Sequence, residues 1–272
     1  MRNARHALRR RVPYKAGRRA AQDTTTVLMM IFATVVTALR ASTAEAADAT
    51  GARAEIQVGL CAPADQIVQA LDLRPRGTPI TVWQFDDAAL TLFARGLRLR
   101  LRVAANGRSE LTLKVADQDC ARLDPKFVPR SEGKCEYDVY GKSMAGAVSL
   151  NRRLGVENTN DLLAARVTPA QALSTSQIRY LREVVGIWPL PPGIRALGPM
   201  QVRTYRTKGK LYDVDISQLP DGERYAEISR KVPTADATRT MQAMNAGLAR
   251  AGVEICADQS SQAVNKLRAL VR

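Results

Sequence analysis

The sequence predicts an α+β fold with a closed or nearly closed antiparallel β-barrel and peripheral helices. Two observations favour this class. Strand patterns, in which apolar and polar residues alternate, dominate both halves of the chain, from 54 to 140 and from 202 to 232. Helical patterns punctuate these strands and close the chain, so we expect the helices to lie around the sheet.

The most regular strand pattern lies at residues 97–103, where Arg98, Arg100 and Arg102 alternate with leucines and Val103. A period of two gives this strand one apolar face and one face with three guanidinium groups in a row. These like charges repel one another unless an anion lies between them. The pattern is typical of a strand that lines a polyanion site, and it also fits the solvated face of an edge strand.

The loop after this strand decides which residues face the arginines. A two-residue Asn106-Gly107 turn would place Arg100 opposite Leu113 and mix the polar and apolar faces of the hairpin. A three-residue loop at 105–107, with Gly107 left-handed, keeps both faces consistent, and we therefore favour it. The polar cross-strand pairs are then Arg98 with Lys114, Arg100 with Thr112 and Arg102 with Glu110.

Similar patterns predict the remaining elements. In the first half we expect strands at 54–60, 81–85 and 134–140, and helical segments at 63–71 and 87–95. In the second half we expect strands at 202–207, 210–217 and 225–232, and helices at 160–166, 168–185, 234–251 and 260–271. Thr168 can cap its helix, with Pro169 at the first helical position. The proline-rich stretch 188–192 is a candidate joint between the halves.

The N-terminal segment predicts export. Residues 1–46 combine a basic stretch, an apolar run at 27–39 and the small-x-small motif Ala44-Glu45-Ala46. The apolar run is short for a bilayer span, although an uncleaved membrane anchor remains the alternative. We therefore expect an export signal at 1–46, a barrel domain at 47–272 and a periplasmic or secreted location. A leader with nine basic and two acidic residues lowers the formal net charge from +15 to +8 when it is removed.

Four cysteines fit an exported protein, because disulfides persist in oxidising compartments. We favour a Cys120–Cys135 bond, which closes the loop between two strands, and hence a Cys61–Cys256 bond from the first strand to the C-terminal segment. The cysteines include no close C-x-x-C pair of the kind that binds zinc.

The only histidine, His6, lies in the leader. The exported chain therefore has no catalytic triad, imidazole base or metal site that depends on histidine. Carboxylates, lysines, arginines, serines and tyrosines remain, and a hard cation on carboxylates is compatible with them. The basic surplus favours an anionic partner, whereas the few aromatic residues do not predict a specific nucleic-acid site. We expect membrane association only through an uncleaved signal.

Three segments, in this order, resemble a known family: E-I-Q at 55–57, W-Q-F-D-D-A-A-L-x-L-F-x-x-G-L-R-L-R at 83–100 and E-L-T-L-K at 110–114. The order is similar to that of the CYTH superfamily, the triphosphate tunnel metalloenzymes. Its pattern is roughly E-x-E-x-K, then Y-F-D-T-P-D-x-x-L-x-x-x-G-x-x-L-R-x-R, then L-T-L-K. The segments E-Y-D at 136–138 and A-E-I-S at 226–229 fit as well, so the resemblance covers roughly 54–232.

The resemblance implies an eight-stranded antiparallel barrel whose polar tunnel binds a triphosphate. Family members hydrolyse inorganic triphosphate, thiamine triphosphate or RNA 5′-triphosphates, or cyclise ATP. It implies a Mg or Mn cofactor on acidic residues, for which the candidates are Glu55, Glu136, Asp138 and Glu227. It also implies a triphosphate or other polyanionic small ligand held by basic residues, for which the candidates are Arg98, Arg100, Lys114, Arg203, Arg206 and Lys231.

The chain departs from the family pattern on the metal side. Gln57 stands where the pattern has its second glutamate, Gly59 where it has a lysine, and Ser229 where a glutamate is expected. Fewer carboxylates weaken the binding of a divalent cation. The sequence therefore leaves two functions open. The first is a metal-dependent triphosphate hydrolase, and the second is a non-catalytic anion-binding or structural envelope protein with a decayed metal site.

Overall fold

The computed structural model of the protein describes residues 52–259 and 261–271, so the expected export signal at 1–46 lies outside the described residues. The strands are β1 Arg53–Leu60, β2 Arg74–Pro75, β3 Ile80–Asp86, β4 Leu97–Ala104, β5 Ser109–Val115, β6 Gly133–Tyr140, β7 Ser143–Leu154, β8 Arg195–Arg206, β9 Asp213–Gln218 and β10 Arg224–Pro233. The helices are α1 Ala64–Ala70, α2 Thr91–Ala94, α3 Val156–Leu163, α4 Pro169–Ala172, α5 Thr175–Tyr180, α6 Ala237–Arg250 and α7 Ser261–Val271. None of the described helices is long and apolar enough to cross a membrane.

Nine strands close into a barrel in the order β8-β3-β4-β5-β7-β6-β1-β10-β9, and β9 pairs with β8 to complete the ring. The short β2 lies outside the ring, against β8. The α+β class and the closed barrel predicted from the sequence are thus confirmed. A ring of nine strands cannot alternate in direction throughout, so one neighbouring pair must be parallel. That pair is β1 and β6, which are in register only at residues 54–56 of β1.

The predicted hairpin register is confirmed. Arg98 lies opposite Lys114, Arg100 opposite Thr112 and Arg102 opposite Glu110. The loop is the three-residue one, because Ala104 N–H bonds to Arg108 O across it. Gly107 is left-handed, with φ 78°.

Helices cover the outside of the barrel and pack against the apolar faces of its strands. The polar side chains of those strands therefore point inward. The outer faces of β1, β9 and β10 pack against α1 and α6. The leucines of β4 and β5 pack against the segment that contains α3, α4 and α5. The odd-numbered residues of β4 are therefore buried outside the ring, and its arginines must point into the barrel.

Two sequence predictions need correction. The twelve-residue strand β7 was missed, and it is the strand that joins β5 to β6 in the ring. Its first half, Met144–Ala147, is made of small or unpatterned residues. The single helix expected at 168–185 is instead α4, α5 and a π-helical turn at Leu181–Val185. Thr168 caps α4 as predicted, but Leu173 is extended and Ser174 caps a new helix.

Both favoured disulfides are confirmed: Cys120 is bonded to Cys135, and Cys61 is bonded to Cys256. The first joins the loop after β5 to β6. The second joins the end of β1 to the segment that leads into α7.

Candidate functional site

The barrel encloses a cavity of about 850 Å³. Its walls are unlike one another. The basic wall comes from β4 and β5: Arg98, Arg100, Arg102 and Lys114, while Lys266 of α7 enters the cavity beside Ser217 of β9. The acidic and polar wall comes from β1, β9 and β10: Glu55, Gln57, Asp215, Ser217, Glu227 and Ser229. Apolar residues of β3 and β8 line a third side: Ile80, Val82, Met200 and Val202.

On the basic wall, Arg98 and Arg100 have no carboxylate partner among the described residues. Within residues 52–259 and 261–271, no carboxylate oxygen lies within 4.0 Å of either guanidinium group. Arg98 is exposed at the mouth of the cavity, and its Cζ lies 5.2 Å from the centroid of the Phe93 ring. Arg100 lies deeper in the lumen and is partly accessible through it. Both can therefore bind an anion that enters the cavity.

The charge on Arg100 is destabilised by its surroundings. Burial, together with the neighbouring charges of Arg102 and Arg98, lowers the pKa of Arg100 to about 9. The more distant Glu227 and Asp215 offset only part of this effect. An anion bound against Arg100 would supply the missing counter-charge. Arg102 differs because its Nη1 lies 3.8 Å from Glu110 Oε1.

The third predicted ligand of this wall, Lys114, is paired within the protein. Its Nζ lies 2.5 Å from Asp138 Oδ2, and the two side chains are 21% and 12% exposed. Asp138 was predicted as a metal ligand. It instead neutralises the lysine that follows the arginines along the cavity wall. Lys114 therefore contributes less free charge to the cavity than Arg98 and Arg100 do.

The acidic wall is also partly neutralised. Lys231 Nζ lies 3.6 Å from Glu55 Oε2 and 2.9 Å from Glu136 Oε2, and Lys134 forms a second ion pair with Glu136. Although burial opposes it, hydrogen bonds from these two lysines hold the pKa of Glu136 below its ordinary value. Glu136 and Lys231 are thus counter-charges of each other, although the former was predicted to bind metal and the latter phosphate.

Glu227 and Asp215 add negative charge to the lumen, which Asp258 also lines. Burial raises the pKa of Glu227, and the carboxylates of Asp215 and Glu55 raise it further, while Lys266 and Arg98 oppose the shift. Asp215 accepts a hydrogen bond from Thr204 at 2.6 Å. Gln57 accepts a hydrogen bond from the Tyr140 hydroxyl. Burial and the nearby charges of Asp138 and Glu227 raise the pKa of Tyr140, which keeps the phenol neutral.

The structure places the other predicted phosphate ligands away from this cavity. Arg203 is exposed on β8, between Val202 and Thr204, which face the lumen. Arg206 forms two hydrogen bonds with Asp213, at 2.7 and 3.3 Å. Arg206 and Lys231 line a second cavity of about 470 Å³. This second cavity shares Glu55 and Ser229 with the first, so the two adjoin at the acidic wall.

The residues present do not fit a divalent cation. In the described part of the chain, no three carboxylate, histidine or cysteine side chains come together as metal ligands would. Glu55 and Glu136 are engaged by Lys231, and Asp138 is engaged by Lys114. The remaining donor on β1, Gln57, is a neutral amide whose oxygen is bonded to Tyr140. Three of the four predicted metal ligands therefore form ion pairs with lysines. The fourth, Glu227, has no ion-pair partner among the described residues.

Sequence reasoning missed four ionisable residues of the cavity: Tyr140, Asp215, Asp258 and Lys266. Alternation along β6 and β9 could have found the first two, because Tyr140 shares a face with Asp138, and Asp215 with Ser217. No local pattern could have found Lys266. It lies on a helix that the sequence places outside the barrel, and only the chain path brings it to the lumen.

No protein-family model matches the chain, and none of the curated proteins matches it by sequence. Two solved structures share its fold. A candidate adenylyl cyclase from Hippeastrum, with a dominant triphosphatase activity, is 16% identical with a TM-score of 0.51. The alignment covers 78% of this chain and 94% of that one.

The second structure is a candidate adenylate cyclase from Bacillus halodurans, 14% identical with a TM-score of 0.50. Here the alignment covers 76% of this chain and 95% of the other. At these identities the likeness concerns the fold alone. It agrees with the resemblance carried by the arginine-leucine strand and its flanking motifs. The chain therefore shares the closed barrel fold of these two structures.

Proposed function

We propose that the barrel cavity binds a triphosphate- or polyphosphate-type anion, with Arg98 and Arg100 as its principal ligands and Lys114 beside them. The observation that carries the proposal is the absence of any carboxylate within 4.0 Å of Arg98 and Arg100 in the described part of the chain. Partly burying an unpaired charge is costly, so the Arg100 guanidinium favours a bound anion, which the exposed Arg98 beside it can also contact. Three linked phosphates offer several charged oxygens to one row of guanidinium groups.

Calorimetry with inorganic triphosphate, without added metal, tests this proposal. We expect Arg100→Ala to weaken binding by about 10- to 100-fold, the range for a lost charged hydrogen bond. Arg203→Ala is the matched control, because it removes the same group from the exposed face of β8 and should leave binding unchanged. Equal effects of the two substitutions would show that the lumen is not the site. Absence of binding by the unsubstituted protein would leave a structural role.

A metal-dependent triphosphatase is the second candidate, because the Hippeastrum protein with a similar fold is described as having a triphosphatase activity. In this chain, Glu55, Glu136 and Glu227 would have to hold Mg or Mn, and the first two are engaged by Lys231. We therefore expect no release of phosphate from inorganic triphosphate with Mg or Mn. We also expect the same affinity for triphosphate with and without Mn. Metal-dependent turnover that Glu227→Gln abolishes would establish the enzyme instead.

Export to an oxidising compartment accords with the two disulfides and with the apparent leader at 1–46. It places the protein in the periplasm or outside the cell. Mass analysis of the mature protein, with its N-terminus at or near residue 47, tests this assignment.

A further inference from the structure

The C-terminal segment is fastened to the edge of β1 that the barrel leaves unpaired. Because β6 pairs with β1 only at 54–56, the C-terminal segment takes over the edge of β1 beyond that point. Cys256 N donates to Gly59 O and Cys61 N donates to Glu254 O, both at 3.0 Å. Gln259 adds side-chain hydrogen bonds at the same place. Its Oε1 accepts from Gly59 N at 2.6 Å, and its Nε2 donates to Gly59 O at 3.2 Å and to Cys256 O at 2.6 Å. The Cys61–Cys256 disulfide adds a covalent link one residue beyond the end of β1.

From this anchor, α7 runs to the apolar side of the lumen. Leu267 and Leu270 are buried in one cluster with Val82, Met200 and Val202 of β3 and β8. These strand residues also line the cavity, so α7 packs on the inward face of the barrel and not on its outer surface. The apolar side of the lumen is therefore the surface on which α7 packs.

Packing of Leu267 places the preceding side chain, Lys266, in the cavity. Lys266 Nζ lies 3.5 Å from Ser217 Oγ and 5.6 Å from the centroid of the Tyr225 ring. Within the described residues, no carboxylate oxygen lies within 4.0 Å of it. Burial lowers the pKa of Lys266, Glu227 and Asp215 oppose this shift, and the charges of Arg100 and Arg98 add to it. Lys266 therefore shares one electrostatic environment with both arginines.

We propose that Lys266 is a third anion-binding residue of the lumen, delivered by α7 and held in place by the Gln259 and Cys61–Cys256 anchor. Three cations from two separate elements then converge on the cavity, two from β4 and one from α7. The lysine reaches the site from the acidic side, beside Ser217, where Gly59 provides no side chain. An anion that contacts both the arginines of β4 and Lys266 spans the lumen from the hairpin wall to α7. This inference rests on the proposed function.

Lys266→Met keeps most of the side-chain length and removes its charge. We expect it to weaken the binding of inorganic triphosphate by about tenfold or more, and we expect Lys266→Arg to restore most of the loss. Arg268→Met is the matched control, because it removes an exposed cation from the same helix. The salt dependence of binding should also become shallower in Lys266→Met but not in Arg268→Met. The thermal midpoint of each ligand-free variant shows whether α7 remains packed.

The anchor is tested by Cys61→Ser combined with Cys256→Ser. We expect this double variant to weaken binding on the native background, and to add little when Lys266 is already methionine, since both changes then act through the same contact. Triphosphate binding that needs Arg100 but is unaffected by Lys266→Met would overturn this inference and leave the proposed function standing. Absence of binding by the unsubstituted protein would overturn both.

Discussion

Lys114 of β5 and Asp138 of β6 form an ion pair across the inside of the barrel, with Nζ 2.5 Å from Oδ2. The intervening strand β7 separates them in the sheet, so the pair spans two strand spacings along the inner wall. Ser149 lies opposite Lys114 on β7 and Ala145 lies opposite Asp138, so the strand between the two partners presents small side chains there. The basic row on β4 and β5 therefore ends in a lysine that is already neutralised.

Asp138→Asn should lower the folding stability that this ion pair supports and raise the affinity for triphosphate that the pair limits. Removing one partner of a largely buried ion pair costs about 3–5 kcal/mol of folding free energy, or less where the lumen admits water. The freed Lys114 ammonium should then bind triphosphate more tightly. Denaturant unfolding and calorimetry measure the two effects. Asp124→Asn breaks the exposed pair with Lys126 and is the control, for which we expect neither change. Unchanged affinity in Asp138→Asn would show that Lys114 lies outside the binding site.

Arg100→Met should raise the stability of the ligand-free protein. The guanidinium is partly buried beside Arg98 and Arg102, and its pKa is lowered because the charged form is disfavoured there. A methionine fills similar space without the charge, so we expect the free energy of unfolding to rise by about 1 kcal/mol. The same substitution should weaken triphosphate binding by about 10- to 100-fold, as expected for Arg100→Ala. A lower thermal midpoint for Arg100→Met than for the unsubstituted protein would contradict this prediction.

The affinity for triphosphate should rise as pH falls through the raised pKa of Glu227. Below that pKa the carboxyl is neutral, and a negative charge is removed from the lumen. Folding stability depends on pH with the same sign. The stabilising contribution of Glu227 is present below the ordinary pKa of 4.5 and is lost as pH rises through the raised pKa of the folded protein. Glu227→Gln should remove the dependence between pH 4.5 and neutrality. Protonation of triphosphate itself affects both proteins equally and cancels in the ratio of the affinity of the unsubstituted protein to that of Glu227→Gln. If this ratio stays constant over the pH range, Glu227 is not the group responsible.

Gly146→Ala should destabilise the barrel. A Cβ at this position would lie 1.9 Å from Gln118 O and 3.1 Å from Cys120 Sγ, so the disulfide-bonded loop after β5 must shift. We expect a loss of about 1–3 kcal/mol in the free energy of unfolding. Gly247→Ala, inside α6, has open space around its Cβ and should instead gain about 0.5–1 kcal/mol. Urea unfolding of both variants measures the contrast, and equal midpoints would count against the close approach at Gly146.

The pattern at 97–115 shows how far local sequence can reach. Consistency of the two hairpin faces, together with a glycine able to adopt a positive φ, was enough to select the register and to place Arg98 beside Lys114. Local sequence could not reveal β7, because residues 144–147 lack a two-residue apolar period. They form a strand because they pair with β5 on one side and with β6 on the other. Nor could it show that Lys231 would lie near Glu136, since 95 residues separate them along the chain.

The sequence alone determined the register of the arginine hairpin, because alternation and turn chemistry are local properties, and it favoured the two disulfides and the barrel class. Tertiary structure decided which charges remain available. Ion pairs between distant strands engage Lys114, Lys231, Glu55, Glu136 and Asp138, whereas Arg98 and Arg100 keep no such partner in the described chain. It also brought Lys266 into the lumen, since α7 finds its apolar seat on β3 and β8 only after the ring has closed. Charge pairing and helix seating depend on which strands become neighbours, and that is a property of the closed barrel.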